Sequence, residues 1–116
     1  ELGRAIGEFL QGISEKVAIC ASGGLSGDPG GPRAGWVDTP LDDWVLEQLT
    51  NRRSATLTRM FDLDSDSVRG NAAEIRTWIA TGAAMESIGS GAQVVDYIPA
   101  HKASAGLAFA YWPGQS

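Results

Sequence analysis

The stretch KVAICASGGLSG (residues 16–27) decides the fold class of this chain. Its first six residues form an apolar, β-compatible run, which predicts a short buried strand over residues 16–21. Ser22, Gly23 and Gly24 then lead into a glycine-rich turn, the position where an α/β sheet presents a ligand-facing loop. A tight turn that binds nothing fits these residues equally well. A phosphate loop is excluded, because no Gly-Lys-Ser/Thr follows.

Periodic elements flank this stretch on both sides. Apolar residues at helical spacing predict an amphipathic helix that ends at Gly12. After the stretch, a loop rich in glycine and proline reaches Pro40. Helices are then predicted over residues 41–49, from an N-cap at Ser54, and over residues 71–83. Two β-like runs follow, over residues 93–98 and 107–112. This mixture of helices and strands predicts an α/β fold.

Composition limits the size and the function class of the protein. The chain has 116 residues, of which 43% are hydrophobic, and this predicts a single domain over residues 1–116. Its formal net charge of −5 argues against a nucleic-acid partner. No apolar run approaches the roughly 20 residues of a membrane-spanning helix, so no membrane partner is expected. The chain opens with Glu1 inside a predicted helix, which indicates a processed or truncated product.

Cysteine and histidine each occur once. Cys20 cannot form an internal disulfide, and its apolar neighbours predict a small buried side chain in a cytoplasmic protein. A single imidazole, that of His101, is too few for a zinc site or a histidine dyad. His101 and Lys102 lie between the two β-like runs, where they either bind an anionic substituent or are simply solvated.

The carboxylates allow two interpretations. Glu74 follows Asn71 by three positions, which is the spacing of a helix capping box, and the pattern alone favours capping over a metal or catalytic role. Six other acidic residues lack the spacing of a calcium loop and are expected to be caps or part of a solvated face: Asp42, Asp43, Glu47, Asp62, Asp64 and Asp66. Three tryptophans are expected to fill a core or an interface: Trp36, Trp44 and Trp78.

Four blocks of the sequence make a family resemblance specific. They are ASGGLSG (21–27), PRAGWVDTPLDDWVLEQL (32–49), AAEIRTWIATGAA (72–84) and DYIPAHKASAGLA (96–108). In this order and spacing they resemble the C-terminal portion of the class III extradiol ring-cleavage dioxygenases, the family of the protocatechuate 4,5-dioxygenase β subunit. The resemblance implies part of a three-layer mixed-sheet domain with helices on both faces. It makes an unrelated small binding module a weak alternative.

The resemblance implies that a catechol-type ring is opened with Fe(II) and O2 in the catabolism of aromatic compounds. Family members hold the iron with two histidines and one glutamate. By its block, Glu74 corresponds to the glutamate, and the resemblance outweighs the capping interpretation. Both histidines belong to the N-terminal half of the family, so that half or a partner chain is expected to supply them in an oligomer.

The same resemblance assigns the pocket. Ser22, Gly23 and Gly24 are expected to line the substrate site. His101 and Lys102 stand where relatives contact the ring substituent, and they would favour a carboxylate-bearing catechol such as protocatechuate.

One position departs from the family pattern. The family loop reads Gly-Gly-Leu-Ser-His, and its histidine is the acid/base, whereas this chain has Gly27 there. Glycine moves no proton, so no catalytic acid/base is intact. Asp28 is a poor substitute, because its side chain points in another direction from the neighbouring backbone position. Two hypotheses follow. Either the chain is one part of an active dioxygenase and is inactive or poorly active alone, or it is an inactive structural or interaction subunit of the family.

Overall fold

The structure is a computed structural model that describes residues 1–114. The α-helices are α1 (Leu2–Gln11), α2 (Thr39–Thr50), α3 (Ser54–Leu57) and α4 (Ile75–Glu86), and the strands are β1 (Gln93–Ala100) and β2 (Ala105–Tyr111). Short 3₁₀ helices span Thr58–Asp62, Asp66–Val68, Gly70–Glu74 and His101–Ala103. The fold is therefore mixed α/β, as the sequence predicts. Among the described residues, the sheet is a single antiparallel pair of strands.

The core lies where α2, α3 and α4 meet the hairpin. Apolar side chains from each helix are fully buried there, because their helices place them at the spacing of one inward face. The largest are Val45, Leu49, Leu57 and Ile75, and Leu25 from the glycine-rich loop joins them. Trp78 is buried in this cluster and Trp44 packs against it, as expected of core tryptophans. Trp36 is only half-buried and lies under the guanidinium of Arg33, 5.0 Å from its ring centroid.

The β1–β2 hairpin is closed by a short 3₁₀ turn. Ala100 pairs with Ala105 at its tight end and Gln93 with Tyr111 at its open end, with an irregularity between Val94 and Asp96. Ser104 ends the turn in the left-handed region, at φ 56°. This turn brings His101 and Lys102 to the surface, and both are exposed.

Helix α1 packs on α4 through glycine. Gly3 and Gly7 are buried, and a β-carbon at either position would lie within 2.4 Å of an atom of α4 or of the residue after it. The missing side chains let the two helices approach closely. Gly12 ends α1, as predicted. No helix within residues 1–114 is long and apolar enough to cross a membrane.

Two expectations about the decisive stretch are wrong. Residues 16–21 form no strand, and the backbone groups there have no hydrogen-bond partner within the described part of the chain. Cys20 is exposed rather than buried. The physical reason is that a strand exists only through its neighbours, and no described strand lies beside this run. The side chains of this run suit a buried strand, but within residues 1–114 no second strand pairs with it.

Candidate functional site

The carboxylate of Glu74 is directed at the glycine-rich turn. Glu74 ends the 3₁₀ helix Gly70–Glu74 immediately before α4, and its side chain caps no helix. Instead, the backbone N–H of Gly24 donates to Glu74 Oε2 at 2.8 Å. The capping-box expectation is therefore wrong. The 3₁₀ start of the helix turns the carboxylate away from the backbone amides that a box would use, and the Gly24 N–H holds it in one orientation.

The first turn of α4 grips the same loop through two further hydrogen bonds. Thr77 Oγ1 donates to the carbonyl of Ser22 at 3.1 Å, and Trp78 Nε1 donates to the carbonyl of Gly23 at 3.1 Å. Gly23 has φ 144°, and a β-carbon there would lie 2.9 Å from Cβ of Glu74. Glycine is required at this position by both the backbone and the close approach. Ser22, Gly23 and Gly24 are thus brought against Glu74.

The next residues of the loop run along the start of β2. The N–H of Leu25 donates to the Gly106 carbonyl at 2.9 Å, and the Gly106 N–H donates to the Ser26 carbonyl at 2.8 Å. Gly27 forms a bridge with Ala105. At Gly27, φ is 144° and a β-carbon would lie 2.0 Å from the carbonyl oxygen of Ser104. The space that any side chain at position 27 would need is filled by the hairpin.

Asp28 is engaged in folding the loop. Its Oδ2 accepts from the N–H of Arg33 at 3.1 Å and lies 3.8 Å from Nε of the same residue. Its carboxylate also occupies the space beside Gly31, where a β-carbon would lie 2.3 Å from either oxygen. These contacts commit the side chain to the turn at residues 28–33. They do not direct it towards Glu74.

Sequence reasoning missed a buried polar network beneath the loop. Asp42 is fully buried, and it accepts from the N–H of Ser26 at 2.8 Å, from Ser26 Oγ at 2.9 Å and from the hydroxyl of Tyr97. Burial raises the pKa of Asp42, an effect that its hydrogen bonds oppose. Burial, together with the bond to Asp42, also raises the pKa of Tyr97. The expectation that Asp42 belongs to a solvated face or a cap is wrong.

This network ties three elements together. Asp42 belongs to α2, Ser26 to the glycine-rich loop and Tyr97 to β1, and Oγ of Ser26 also accepts from the N–H of Asp38 at 2.9 Å. Asp38 in turn caps α2, because its Oδ1 accepts from the N–H of Leu41 at 3.0 Å. The position of the loop is thereby fixed relative to both α2 and the hairpin. The hydrogen-bond partners of Asp42 are 16 and 55 residues away along the chain, so no local sequence pattern predicts them.

The hairpin turn lies beyond the far end of the loop. His101 Nδ1 is 3.2 Å from the carbonyl of Gly35, and Ser104 Oγ accepts from the N–H of Gly35 at 2.6 Å. In the described part of the chain, neither His101 nor Lys102 contacts Glu74. The structure therefore groups Ser22, Gly23 and Gly24 with Glu74, and places His101 and Lys102 away from Glu74.

The residues 1–114 contain no cluster of three or more His, Cys, Asp or Glu side chains that could hold a metal ion. Of the other predicted acidic residues, Asp64 and Asp66 pair with Arg69 on the surface, at 2.6 and 3.4 Å. A cleft of about 410 Å³ beside the loop is lined by Asp28, Pro32, Arg33, Asp66, Arg69 and Gly70, and Glu74 is not among its lining residues. The carboxylate of Glu74 is exposed, and it belongs to no cluster of potential metal ligands among the described residues.

Comparison with known proteins identifies the family of the chain. Residues 1–108 match the family model described as the catalytic LigB subunit of aromatic ring-opening dioxygenase. A 2,3-dihydroxyphenylpropionate/2,3-dihydroxicinnamic acid 1,2-dioxygenase of Photorhabdus laumondii subsp. laumondii is 41% identical over 46 residues. That alignment covers 40% of this chain and 14% of the relative. No solved structure matches the chain.

Proposed function

Because this chain belongs to the family of catalytic LigB subunits of aromatic ring-opening dioxygenases, we propose that it contributes the glutamate ligand to an extradiol dioxygenase that uses Fe(II) and O2. The observation that carries the proposal is the hydrogen bond from the Gly24 N–H to Glu74 Oε2. It holds the carboxylate of Glu74 beside the glycine-rich turn, and the other oxygen, Oε1, would be the one to bind a metal.

The described residues do not by themselves fit an iron site. A facial triad needs two histidines and one carboxylate, whereas the chain has one histidine, His101, and that residue has no contact with Glu74 within residues 1–114. The 46 aligned residues cover 14% of the Photorhabdus relative, so most of that protein has no counterpart in the alignment. The N-terminal half of the family or a partner chain would supply both histidines and complete the three-layer sheet.

The proposed substrate is a catechol that bears a carboxylate, such as protocatechuate. The name of the Photorhabdus relative specifies dihydroxyphenylpropionate, which is itself a carboxylate-bearing catechol. Exposed His101 and Lys102 provide two hydrogen-bond donors at the hairpin turn, one of them an ammonium group, that could pair with such a carboxylate. Ser22, Gly23 and Gly24 would line the part of the pocket beside Glu74, where the two glycines allow a flat ring to approach the backbone closely.

A second candidate function follows from Gly27. The loop contains no group that could replace the family's acid/base histidine, because the Ser104 carbonyl fills the space beside Gly27 and Asp28 is bound to Arg33. A structural or interaction subunit with no catalysis of its own would have this construction. The two candidates share the fold and the position of Glu74, and they differ in whether ring opening occurs.

The deciding experiment uses the protein as its natural host produces it, loaded anaerobically with Fe(II). Oxygen uptake and the absorbance of the ring-opened product would be followed with protocatechuate and with 2,3-dihydroxyphenylpropionate. We expect ring opening, and we expect Glu74→Gln to reduce kcat/KM at least about 100-fold, more than the loss of an outer partner of a metal ligand costs. The matched control is Glu8→Gln on the exposed face of α1, which should keep parental activity.

Absence of ring opening with both substrates, in a protein that retains iron, would instead establish the inactive subunit. Equal activity of the parent and Glu74→Gln would exclude Glu74 as the ligand.

A further inference from the structure

Asn71 and Glu74 lie on the same side of the short 3₁₀ helix Gly70–Glu74. A 3₁₀ helix has three residues per turn, so side chains three positions apart eclipse each other. Both side chains reach Gly24. The N–H of Gly24 donates to Glu74 Oε2 at 2.8 Å, and a β-carbon on Gly24 would lie 2.4 Å from Nδ2 of Asn71. The amide of Asn71 therefore occupies the space beside the turn that a side chain on Gly24 would need.

The backbone of Asn71 is fixed to the same loop. Its N–H donates to the carbonyl of Gly27 at 2.8 Å. The preceding residue, Gly70, has φ 67°, and a β-carbon there would lie 2.7 Å from that carbonyl oxygen. The start of the 3₁₀ helix is thus packed closely on the glycine-rich loop. The side chain of Asn71 consequently extends from a fixed backbone position at Gly27 towards Gly24.

The side-chain amide of Asn71 has no hydrogen-bond partner within residues 1–114, although the residue is half-buried. In that part of the chain, Nε1 of Trp112 is the one fully buried side-chain nitrogen or oxygen without a partner, so the Asn71 amide is open to solvent. Buried polar groups that serve the fold are normally hydrogen-bonded inside it. An accessible amide with unused donors and an unused acceptor is available to a ligand.

The chemistry of the two side chains is complementary. An ionised carboxylate only accepts hydrogen bonds, whereas a carboxamide donates two and also accepts. A catechol presents two adjacent hydroxyls, each of which donates and accepts. A ring that covers Gly23 and Gly24 would bring one hydroxyl beside Glu74 and within reach of Asn71. The amide does not titrate, so it would hold that hydroxyl without moving its proton.

We propose that Asn71 is a substrate-binding residue whose side-chain amide hydrogen-bonds one of the two hydroxyls of a catechol that lies over Gly23 and Gly24. The inference rests on the proposed function, because it takes a catechol to be the ligand. It adds a residue that recognises the hydroxyl end of the ring, whereas His101 and Lys102 are proposed to bind its carboxylate.

Binding without turnover provides the test. The protein purified from its natural host would be titrated with protocatechuate by calorimetry under nitrogen, so that no O2 is consumed. Asn71→Leu keeps the approximate shape of the side chain and removes its donors and acceptor. We expect this variant to raise Kd at least about fivefold, the worth of one net hydrogen bond. Asn51→Leu, at the only other asparagine and exposed after α2, should bind as the parent does.

A comparison of ligands separates hydrogen bonding from a purely structural effect. The ligands 3-hydroxybenzoate and 4-hydroxybenzoate each lack one hydroxyl of protocatechuate, and their Kd values would be measured by competition. The preference of the parent for protocatechuate over one of them should shrink at least about fivefold in Asn71→Leu. The urea midpoint should match that of the parent, because the side chain has no internal hydrogen bond to lose. If it falls, Asn71→Ala repeats the comparison without the added branch.

Three results would overturn the proposal. They are equal losses of affinity for all three ligands, an unchanged Kd for protocatechuate, and a parent protein that binds none of the ligands. The ring-opening assay on the same preparations separates this inference from the proposed function. Binding that depends on Asn71 in a protein that opens no ring would keep the inference and reject the dioxygenase. Ring opening by a protein whose binding ignores Asn71 would do the reverse.

Discussion

Gly27 lies where a β-carbon has no room. Its φ of 144° is open to glycine and costly for other residues, and the Ser104 carbonyl stands 2.0 Å from where a β-carbon would be. Gly30 shares the positive φ, at 73°, but has no neighbour within 4 Å of its own β-carbon position. Substituting alanine at Gly30 therefore tests backbone strain alone, whereas substituting it at Gly27 tests strain together with a steric clash.

We expect Gly30→Ala to lower the free energy of unfolding by about 1 kcal/mol, the cost of a left-handed conformation for an L residue. Gly27→Ala should cost at least about 3 kcal/mol, because strain and overpacking add. Urea denaturation of both variants measures the difference. Equal losses would mean that the loop moves away from the hairpin at little cost. A histidine at position 27 needs the same β-carbon, so Gly27→His is expected to disrupt the loop rather than restore an acid/base.

The buried carboxylate of Asp42 gives stability a specific pH dependence. Burial raises its native pKa above the ordinary 3.8, so the native state binds this proton more tightly than the unfolded state does. The resulting stabilisation is fully present below pH 3.8 and is lost as the pH rises through the native pKa. The advantage of the parent over Asp42→Asn in unfolding free energy should therefore shrink as the pH rises above 3.8.

Urea denaturation across this pH range provides the measurement. Asp43→Asn removes a charge from the next residue of α2, which is exposed, and controls for the change in overall charge. An advantage that grew with pH would mean that the hydrogen bonds from Ser26 and Tyr97 outweigh burial at Asp42.

At the scale of elements, α1 packs closely against α4 because Gly3 and Gly7 have no side chains at the contact. In an ordinary helix, Gly→Ala stabilises by about 1 kcal/mol through helix propensity. At Gly7 the sign should reverse, because the added β-carbon would lie 2.3 Å from Oγ of Ser87 and 2.8 Å from the carbonyl of Ala84. Overpacking of this kind costs about 1–3 kcal/mol and outweighs the propensity gain.

Gly7→Ala is therefore expected to lower the free energy of unfolding and to speed amide exchange in α1. Gly12→Ala serves as the control, since its nearest contact would be the Phe9 carbonyl at an ordinary 3.4 Å. Stabilisation by Gly7→Ala would show that α1 slides along α4 to accept the methyl group.

Elements with local periodicity could be predicted from the sequence, and those that depend on distant partners could not. The long helices and both strands follow from apolar spacing, and Gly12 ends α1 as expected. The strand predicted over residues 16–21 is absent, because its apolar pattern says nothing about whether a neighbouring strand is there to pair with it. Ser54 is similar: it was expected to cap α3 but begins it, and its hydroxyl and N–H both donate to Glu86, 32 residues away.

The candidate site divides in the same way. The turn at Ser22, Gly23 and Gly24 could be predicted because glycines mark it, and the choice of Glu74 as iron ligand stays a prediction from the family resemblance. The burial of Asp42 could not be predicted from the sequence. The next residue of the same helix, Asp43, is an exposed acid, and the hydrogen-bond partners of Asp42 are distant along the chain. The hydrogen bond between Gly24 and Glu74 joins residues 50 apart, so only the folded chain reveals it.

The whole molecule is more extended than its length requires. Its radius of gyration is 14.5 Å, with extents of 47 × 27 × 22 Å, whereas about 13.4 Å is typical of a domain with this number of residues. Apolar side chains remain exposed on α1 and along residues 16–21. Under the proposed function, we expect ring opening to require two histidines from outside these 116 residues.

The purified 116-residue chain is therefore expected to open no catechol ring. Under the proposed function, Glu74 would supply one of the three ligands of a facial triad, and Gly27 has no side chain to act as acid or base. With Fe(II) and protocatechuate present, oxygen uptake should equal that of a protein-free control. Fe(II) affinity, measured by calorimetry under nitrogen, should be weak and should fall further in Glu74→Gln but not in Glu8→Gln. Ring opening by the isolated chain would contradict this prediction, because it would mean that the 116 residues supply every iron ligand themselves.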